Sequence, residues 1–340
     1  MNQPNRGDVV ESNWPMLISA LVGSTNAAIF THQRPDPDAI GSQVGLARLL
    51  SAAGKSGAVV EFPPVPGSLE FLLKHSPWPL VEYTEAWARE HLPNYDAIIV
   101  VDTSSSEQLG TLANVLRDMP EKLICIDHHL SGDVQGRCMF RDSQAGSCAE
   151  LIVQLAGQLG VMDKAAATVL LAGITSDTGW FHYEGTSAGT LRAAAECVQA
   201  GALPVELWNR LMERDSVAKL KLTGLALEKC RFELSNQVAI IELSVSDFAQ
   251  TKAQNWETEG LINIPMAIAD VLVSLCLTEQ PDGNLRISLR SKHTVNVAAV
   301  AAEFGGGGHA RAAGCRMKGS LQDAAGRLVA AIAAHLNTAK

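Results

Sequence analysis

The amino-acid sequence predicts an α/β protein: a doubly wound, mainly parallel sheet in an N-terminal domain, a helical connector, and a smaller α+β C-terminal domain. Three observations support this. The chain has 340 residues, enough for about two domains, and 47% are apolar without any low-complexity tract, which excludes a disordered or fibrous protein. In the first half, short apolar runs alternate with helical patterns. The second half contains a helix-forming stretch followed by further strand-like runs.

Four apolar runs in the first half predict strands buried on both faces, at residues 27–31, 57–62, 97–101 and 123–126. Helical spacing is found over 40–53 and 147–159, and residues 170–180 form another apolar, helix-like run. Doubly wound sheets bind ligands beyond the carboxyl ends of their strands. The residues that directly follow each strand are therefore the first functional candidates.

The stretch 186–233 is rich in Ala, Leu, Glu and Lys and lacks strand-like runs, which predicts a helical connector. Beyond it, residues 237–243 and 285–289 predict strands, and 297–304 and 321–336 predict helices. The expected domains are 14–185, 186–233 as the connector, and 234–338.

Composition excludes several classes of protein. The chain carries 27 Lys+Arg against 36 Asp+Glu, a net charge of −9, which argues against a surface that binds long nucleic acid through many phosphate contacts. A nucleic-acid substrate stays open, because bound metal ions can supply positive charge locally. The seven cysteines are scattered without CxxC spacing, as expected for free thiols in a reducing cytoplasm. The start lacks the pattern of a secretory signal and no run is apolar enough for a membrane span, so we expect a cytoplasmic protein with no membrane partner.

Carboxylates and imidazoles follow the predicted strands or end the helix-like run. They are His32, Asp36, Asp38, Asp102, Asp127, His128, His129 and Asp177. Carboxylates gathered at one sheet edge repel one another unless cations neutralise them. Oxygen donors with one or two imidazoles suit Mn²⁺ better than Ca²⁺, with Mg²⁺, Co²⁺ or Zn²⁺ as alternatives. Because one ion cannot use so many carboxylates, we expect two divalent ions about 3.5–4 Å apart that share a carboxylate and a water able to attack phosphorus.

Each of these residues also has a structural interpretation. A single Asp after a strand, such as Asp38 or Asp102, is more often a turn former or helix N-cap. Residues 127–129 are equally compatible with a solvated loop. The convergence of four separate segments favours the metal site.

A glycine run near the C-terminus, Gly305 to Gly308 followed by His309, is the second signal. A flexible run of this kind exposes backbone N–H groups that can form an anion-binding nest, although a plain linker is the alternative. Arg290 and Lys292 follow a predicted strand and could point into the same cleft, although surface placement is nearly as compatible with the spacing.

At these residues the sequence resembles the DHH phosphoesterase superfamily. Four motifs carry the likeness, in chain order: His32-x-x-x-Asp36-x-Asp38, Asp102 in VVDTS, Asp127-His128-His129, and Asp177 in GITSDTG. The segment 259–315, with SLRSK and FGGGGHARAAGC, resembles the DHH-associated C-terminal domain. Within the superfamily the likeness is greatest to the compact nanoRNase and pAp-phosphatase type.

That resemblance implies a metal-dependent hydrolase that cleaves oligonucleotides only a few nucleotides long to mononucleotides and removes the 3′-phosphate of 3′-phosphoadenosine 5′-phosphate (pAp). It implies one ion, most readily Mn²⁺, held by His32, Asp36 and Asp102, and a second held by Asp38, Asp102, His128 and Asp177. Asp127 then orients its neighbours, and His129 faces the substrate phosphate or leaving group. The resemblance also implies that the C-terminal domain clamps the substrate through Arg290, Gly306, Gly307, Gly308 and His309.

Other activities stay open. They are hydrolysis mainly of pAp, of linear or cyclic dinucleotides or of phosphoanhydrides, and a catalytically silent nucleotide sensor. The larger superfamily members carry an added oligonucleotide-binding domain or transmembrane segments, which we do not expect here. The expected partner is a short nucleotide substrate and not long duplex nucleic acid, and the apolar content of the connector permits a homodimer without requiring one.

Overall fold

A computed structural model describes residues 13–160, 162–292 and 295–338. The chain divides into two compact units, with the boundary between residues 213 and 214. Among the described residues, no helix has both the length and the apolar character needed to cross a lipid bilayer.

The first unit contains a six-stranded sheet in which every neighbouring pair is parallel. Its strands are β1 (Asn26–Phe30), β2 (Ser56–Glu61), β3 (Leu80–Glu82), β4 (Ala97–Val101), β5 (Leu123–Asp127) and β6 (Cys138–Arg141). Their order is β3-β2-β1-β4-β5-β6, so the chain reverses its direction of winding between β1 and β4. This confirms the predicted doubly wound, parallel fold class.

Helices cover both faces of this sheet because alternate strand residues point to opposite sides. The helices of this unit are α1 (Trp14–Val22), α2 (Pro37–Ala52), α3 (Glu70–Leu73), α4 (Glu85–His91), α5 (Ser106–Leu109), α6 (Thr111–Leu116), α7 (Cys148–Leu159), α8 (Lys164–Asp177), α9 (Ala188–Gln199) and α10 (Pro204–Leu211). Ile29 and Val59 join one buried cluster with residues of α2, α7 and α8. Phe30 and Val60 join another on the opposite face.

The second unit contains a mixed six-stranded sheet with order β11-β12-β10-β9-β8-β7, in which only β8 and β9 are parallel. Its elements are α11 (Val217–Glu228), β7 (Arg231–Glu233), β8 (Val238–Leu243), α12 (Val245–Thr251), β9 (Val273–Glu279), β10 (Asn284–Ser291), α13 (Val297–Ala302), β11 (Gly307–His309), β12 (Ala312–Lys318) and α14 (Leu321–Thr338). Short 3₁₀ turns occur at Leu92–Asn94, Asn255–Thr258, Leu261–Asn263 and Pro265–Ala267. The smaller α+β unit is thereby confirmed.

The predicted connector 186–233 is largely helical, but its residues divide between the units. Helices α9 and α10 belong to the first unit, and α11 belongs to the second. Residues Arg231–Glu233, at the end of this stretch, form the short edge strand β7 and not helix. Three residues are too few to show the alternating pattern from which a strand is predicted.

Candidate active site

The carboxyl ends of β1, β4 and β5 lie side by side in the sheet, and the residues that follow them meet at this edge. The arrangement arises because β1 and β4 are neighbours at the point where the strand order reverses. Three groups of three side chains each place one nitrogen or oxygen atom of every member within 4.8 Å of the others, and one of the three consists of Asp102, His128 and His129. We call the residues of the other two groups the strand-end edge; they are His32, Asp36, Asp38, Asp102, His128 and Asp177.

The first group contains His32, Asp36 and Asp102. Asp36 is the N-cap of α2, and its Oδ1 accepts hydrogen bonds of 2.9 Å from the backbone N–H groups of Asp38 and Ala39. One carboxylate oxygen therefore caps the helix, as the structural interpretation of such a residue expects. A carboxylate oxygen of Asp36 also lies within 4.8 Å of a ligand atom of His32 and of Asp102.

The second group contains Asp38, His128 and Asp177. The Nε2 atom of His128 lies 3.2 Å from Asp177 Oδ2 and 3.9 Å from Asp38 Oδ2. Its other ring nitrogen, Nδ1, lies 3.3 Å from the carbonyl oxygen of Ala145. When Nδ1–H donates to that carbonyl, Nε2 carries the lone pair and is directed at the carboxylates, which is the tautomer a metal ligand needs.

Asp102 lies between the two groups. Its Oδ2 is 3.5 Å from His32 Nε2, and its Oδ1 is 3.4 Å from His128 Nε2. The residue has a φ of +63° and only 2% exposure, so a left-handed backbone turns a buried carboxylate toward both imidazoles. No described residue donates a hydrogen bond of good geometry to Oδ1. A buried carboxylate oxygen without a donor fits a divalent cation well.

Asp38 is fully buried and held by distant backbone groups. Its Oδ2 accepts a hydrogen bond of 2.7 Å from Cys148 N–H, and its Oδ1 accepts one of 2.9 Å from Ala149 N–H, at the start of α7. The positive end of a helix dipole stabilises a carboxylate there. Helix α8 also packs directly against this carboxylate. A Cβ added to Gly173 of α8 would lie 2.6 Å from Asp38 Oδ1, so this close approach needs a glycine.

The ionisation of these groups reflects their burial and the close approach of other charged groups. Burial raises the pKa of Asp38 well above its usual range, and burial raises that of Asp177 to about 6. Burial would also raise the pKa of Asp102, but the imidazoles of His128 and His32 lower it to about 2. Burial would lower the pKa of His128, but Asp102 and Asp38 raise it to about 10. Without a cation the site thus reduces its negative charge by taking up protons, and a bound cation would replace those protons.

Asp127 and His129 form a separate pair beside this edge. Asp127 is fully buried, and its Oδ1 lies 2.8 Å from His129 Nδ1. Its Oδ2 accepts a hydrogen bond of 2.5 Å from the hydroxyl of Ser104. The His129 side chain is 47% exposed, so the imidazole is oriented by a buried carboxylate while its other nitrogen is accessible. The role of Ser104 was not predicted, although it follows Asp102 by two residues on the same strand-end loop.

Glu61 is another acidic residue at this sheet edge that the sequence analysis missed. It ends β2, is 5% exposed, and neither of its carboxyl oxygens has a hydrogen-bond partner among the described residues. Burial raises its pKa to about 7. The only available signal was its position directly after a buried apolar run.

The predicted substrate residues lie in the second unit. Arg290 is in β10, on the face opposite the buried cluster that contains Leu289. Gly307, Gly308 and His309 form the exposed edge strand β11, which pairs with β12.

The glycine run differs from the flexible nest that the sequence suggested. The backbone N–H of Gly306 donates to the carbonyl oxygen of Ala301, and that of Gly305 donates to Ala302, so these two amides are not free to bind an anion. A Cβ on Gly306 would lie 2.2 Å from the carbonyl oxygen of Gly314, so the residue is small for packing reasons. Lys292 is likewise engaged, because its Nζ donates to the carbonyl oxygen of Ile268.

Comparison with protein-family models identifies both halves of the chain. Residues 26–174 match the model of the DHH family, N-terminal domain, and residues 237–338 match that of the DHHA1 domain. The structure is similar to the crystal structure of an exopolyphosphatase-related protein from Bacteroides fragilis, with a TM-score of 0.84 and 23% identity over 98% of this chain and 99% of that one. At this identity the likeness shows the shared fold.

Curated relatives extend the similarity over nearly the whole chain. The bifunctional oligoribonuclease and PAP phosphatase NrnA of Thermus thermophilus is 31% identical over 327 residues, which are 95% of this chain and 94% of the relative. The probable enzyme of the same name from Streptococcus mutans is 32% identical over 84% of this chain and 87% of its own length. The cyclic-di-AMP phosphodiesterase GdpP of Bacillus subtilis is 26% identical over 91% of this chain but only 48% of its own length.

Proposed function

The chain belongs to the DHH family, and from this we propose that it is a metal-dependent phosphoesterase that hydrolyses very short oligonucleotides to mononucleotides and removes the 3′-phosphate of pAp. The observation that carries the proposal is that four separate segments bring carboxylates and imidazoles together around Asp102, one oxygen of which is buried and accepts no hydrogen bond of good geometry. The relatives named for these two activities cover almost the full chain, which supports the same pair of substrates.

We propose that His32, Asp36 and Asp102 hold one divalent ion and that Asp38, Asp102, His128 and Asp177 hold a second. Bound divalent ions supply Lewis-acid activation of the phosphate and a water nucleophile of lowered pKa. Asp102 faces both groups, with one oxygen toward each. The mixed oxygen and nitrogen donors, without thiolate, favour Mn²⁺, with Mg²⁺ or Co²⁺ as alternatives.

His129 is proposed to act on the leaving group. Asp127 accepts a hydrogen bond from His129 Nδ1–H and favours the imidazolium, which places the transferable proton on the accessible Nε2. That proton can pass to the departing ribose oxygen as the P–O bond breaks. Asp127 itself is held by Ser104 and touches no solvent, so it orients His129 and does not exchange protons with the substrate.

In the second unit, Arg290 and His309 are proposed to bind the substrate, together with the backbone of Gly307 and Gly308. Arg290 has no carboxylate within ion-pairing distance among the described residues, and the only partner recorded for its guanidinium is its neighbour's carbonyl. It is therefore available for a phosphate. Gly306 is retained only as a packing residue. A cytoplasmic location and a homodimer stay as predictions.

Replacing Asp102 with Ala tests the proposal. We expect hydrolysis of the dinucleotide pApA with saturating Mn²⁺ to fall by at least about a thousandfold, because both cation sites lose a ligand. Asp118→Ala is the matched control, since Asp118 is an exposed aspartate in the same unit with a 73% exposed side chain. Wild-type rates for Asp102→Ala would overturn the assignment.

A substrate panel separates the remaining activities. Turnover is compared on pApA, pAp, cyclic di-AMP and pyrophosphate, with and without EDTA. The proposal predicts metal-dependent turnover of pApA and pAp above the other two. Metal-dependent binding without turnover of any of them would identify a nucleotide sensor instead.

A further inference from the structure

The sheet of the second unit carries a cleft that contains Arg290 of the SLRSK motif and extends to residues outside the quoted motifs. Alternation along β10 directs Arg286, Ser288 and Arg290 to the face opposite the buried residues Leu285, Ile287 and Leu289. We call those three outward residues the arginine face. Together with Trp256 and Thr258 of the 3₁₀ turn Asn255–Thr258 they line a cavity of about 360 Å³.

The cleft is rich in groups that bind anions. Among the described residues, no carboxylate lies within ion-pairing distance of Arg286 or Arg290; Arg286 Nη2 donates only to the hydroxyl of Thr258, at 2.6 Å. Glu259 also lines the cleft, so two arginines and one carboxylate leave a charge of +1. Strand geometry places the Cα atoms of Arg286 and Arg290 about 13 Å apart, close enough for their two long side chains to reach the same phosphate.

An exposed aromatic side chain completes the wall. Trp256 lines the same cavity, and it is 72% exposed, more than any other large hydrophobic residue described in the chain. An indole left in water beside two guanidinium groups that have no carboxylate partner among the described residues suits a planar ring that carries a phosphate. The cavity volume is at the small end for ligand pockets, which suits one nucleoside unit and not a chain of them.

We propose that this cleft binds one nucleotide of the substrate, with its base stacked on Trp256 and its phosphate paired with Arg286 and Arg290. The proposal rests on the proposed function for the identity of the substrate. It adds Trp256 and Arg286 as substrate-positioning and specificity-determining residues, with no part in bond cleavage. Trp256 can stack on any base, because every base has a π-face. We expect the affinity to be higher for a purine than for the smaller ring of a pyrimidine.

Steady-state kinetics with pApA tests the stacking. Trp256→Ala is expected to raise KM about tenfold while kcat stays within about twofold, and Trp256→Phe is expected to restore most of the affinity. Phe232→Ala is the matched control, because Phe232 is another exposed aromatic residue of this unit, at 39% exposure. An unchanged KM for Trp256→Ala, or an equal rise for Phe232→Ala, would overturn the proposal.

Two abasic analogues of pApA, with either the first or the second base removed, identify the stacked ring. For one of them, wild type and Trp256→Ala should have the same KM, because the missing base is the one that Trp256 contacts. If the substitution raises KM for both analogues as much as for pApA, its effect is structural and the proposal fails.

The role of Arg286 is tested against that of its hydrogen-bond partner. Arg286→Gln should raise KM for pApA by about tenfold. Thr258→Val removes the bond between the two residues and the bond that the Thr258 hydroxyl donates to the carbonyl oxygen of Asn255, and it should have a much smaller effect because the guanidinium stays in place. If the two substitutions raise KM equally, Arg286 has only a structural role and does not bind the phosphate.

Binding is measured separately in Asp102→Ala, through quenching of tryptophan fluorescence by pApA. The quenching should be lost when Trp256→Phe is added. Absence of pApA turnover in the wild type would refute the proposed function, whereas turnover without Trp256-dependent quenching would refute the cleft.

Discussion

The strand-end edge of the first unit and the arginine face of the second differ in the sign of their charged groups and in how firmly the protein fixes them. At the edge, Asp38 and Asp102 are buried carboxylates fixed by backbone amides or by a left-handed backbone. On the arginine face, Arg286 and Arg290 are long, partly exposed cations with few protein partners. Buried groups whose positions are fixed by the backbone suit a reaction that needs fixed geometry. Flexible cations suit recognition of substrates that differ in length and base.

This contrast makes a kinetic prediction. Changes at or behind the edge should alter kcat or the stability of the fold, and changes on the arginine face should raise KM. The following three substitutions test the distinction, in decreasing order of expected free-energy effect.

Glu61→Gln tests the energetic cost of burying acids at the edge. The rise in the pKa of Glu61 from its ordinary 4.5 to about 7 corresponds to about 3 kcal/mol of the free energy of unfolding. Between pH 4.5 and 7 the unfolded chain releases this proton while the folded chain keeps it, so stability falls as pH rises and is level above about pH 7. The variant, which cannot ionise, should become more stable relative to wild type over that range.

Denaturant unfolding of both proteins without metal at several pH values measures the difference. Glu82→Gln is the matched control, because Glu82 is the exposed register partner of Glu61 on β3. Parallel stability curves for wild type and Glu61→Gln would show that the buried carboxyl has no such cost.

Ser104→Ala tests whether the Ser104 hydroxyl positions Asp127 and His129 beside the strand-end edge. Loss of the hydroxyl that donates to Asp127 should lower kcat for pApA by about 10- to 100-fold and leave the metal content unchanged. Ser106→Ala removes a similar hydroxyl–carboxylate bond, to Asp133, at an exposed site and should change neither quantity. An unaltered kcat, or a loss of metal, would contradict the role given to Asp127 and His129.

Arg290→Gln tests the arginine face with the smallest expected effect. Its loss should raise KM for pApA about tenfold at nearly constant kcat, because one charge-assisted contact to phosphate is removed. Arg327→Gln, on α14 over the ring of Phe304, serves as the control. A fall in kcat as large as that in kcat/KM would place Arg290 in the chemical step and remove the distinction between the two regions.

The sequence predicted the parallel sheet well because its strands are buried on both faces and therefore continuous in apolar residues. The predicted strand 97–101 agrees with Ala97–Val101, and 57–62 differs by one residue from Ser56–Glu61. Strands β3 and β6 were missed because they are three and four residues long. Runs this short carry no detectable period.

The site was predictable where a motif lies within one segment and not where it depends on contacts across the chain. The six residues of the strand-end edge were identified from their positions after strands or at a helix end. The amides of Cys148 and Ala149 that hold Asp38 are 110 and 111 residues away from it, so nothing local reveals them. Trp256 was missed for a similar reason. It lines a cavity together with residues of β10, which is a separate segment of the chain.

Anomalous diffraction from a crystal equilibrated with Mn²⁺ tests the central claim most directly. The account predicts two peaks per chain about 3.5–4 Å apart. One should lie within bonding distance of His32 and Asp36, the other within bonding distance of Asp38, His128 and Asp177, and Asp102 should contact both. A single peak, or two peaks that do not share Asp102, would contradict it.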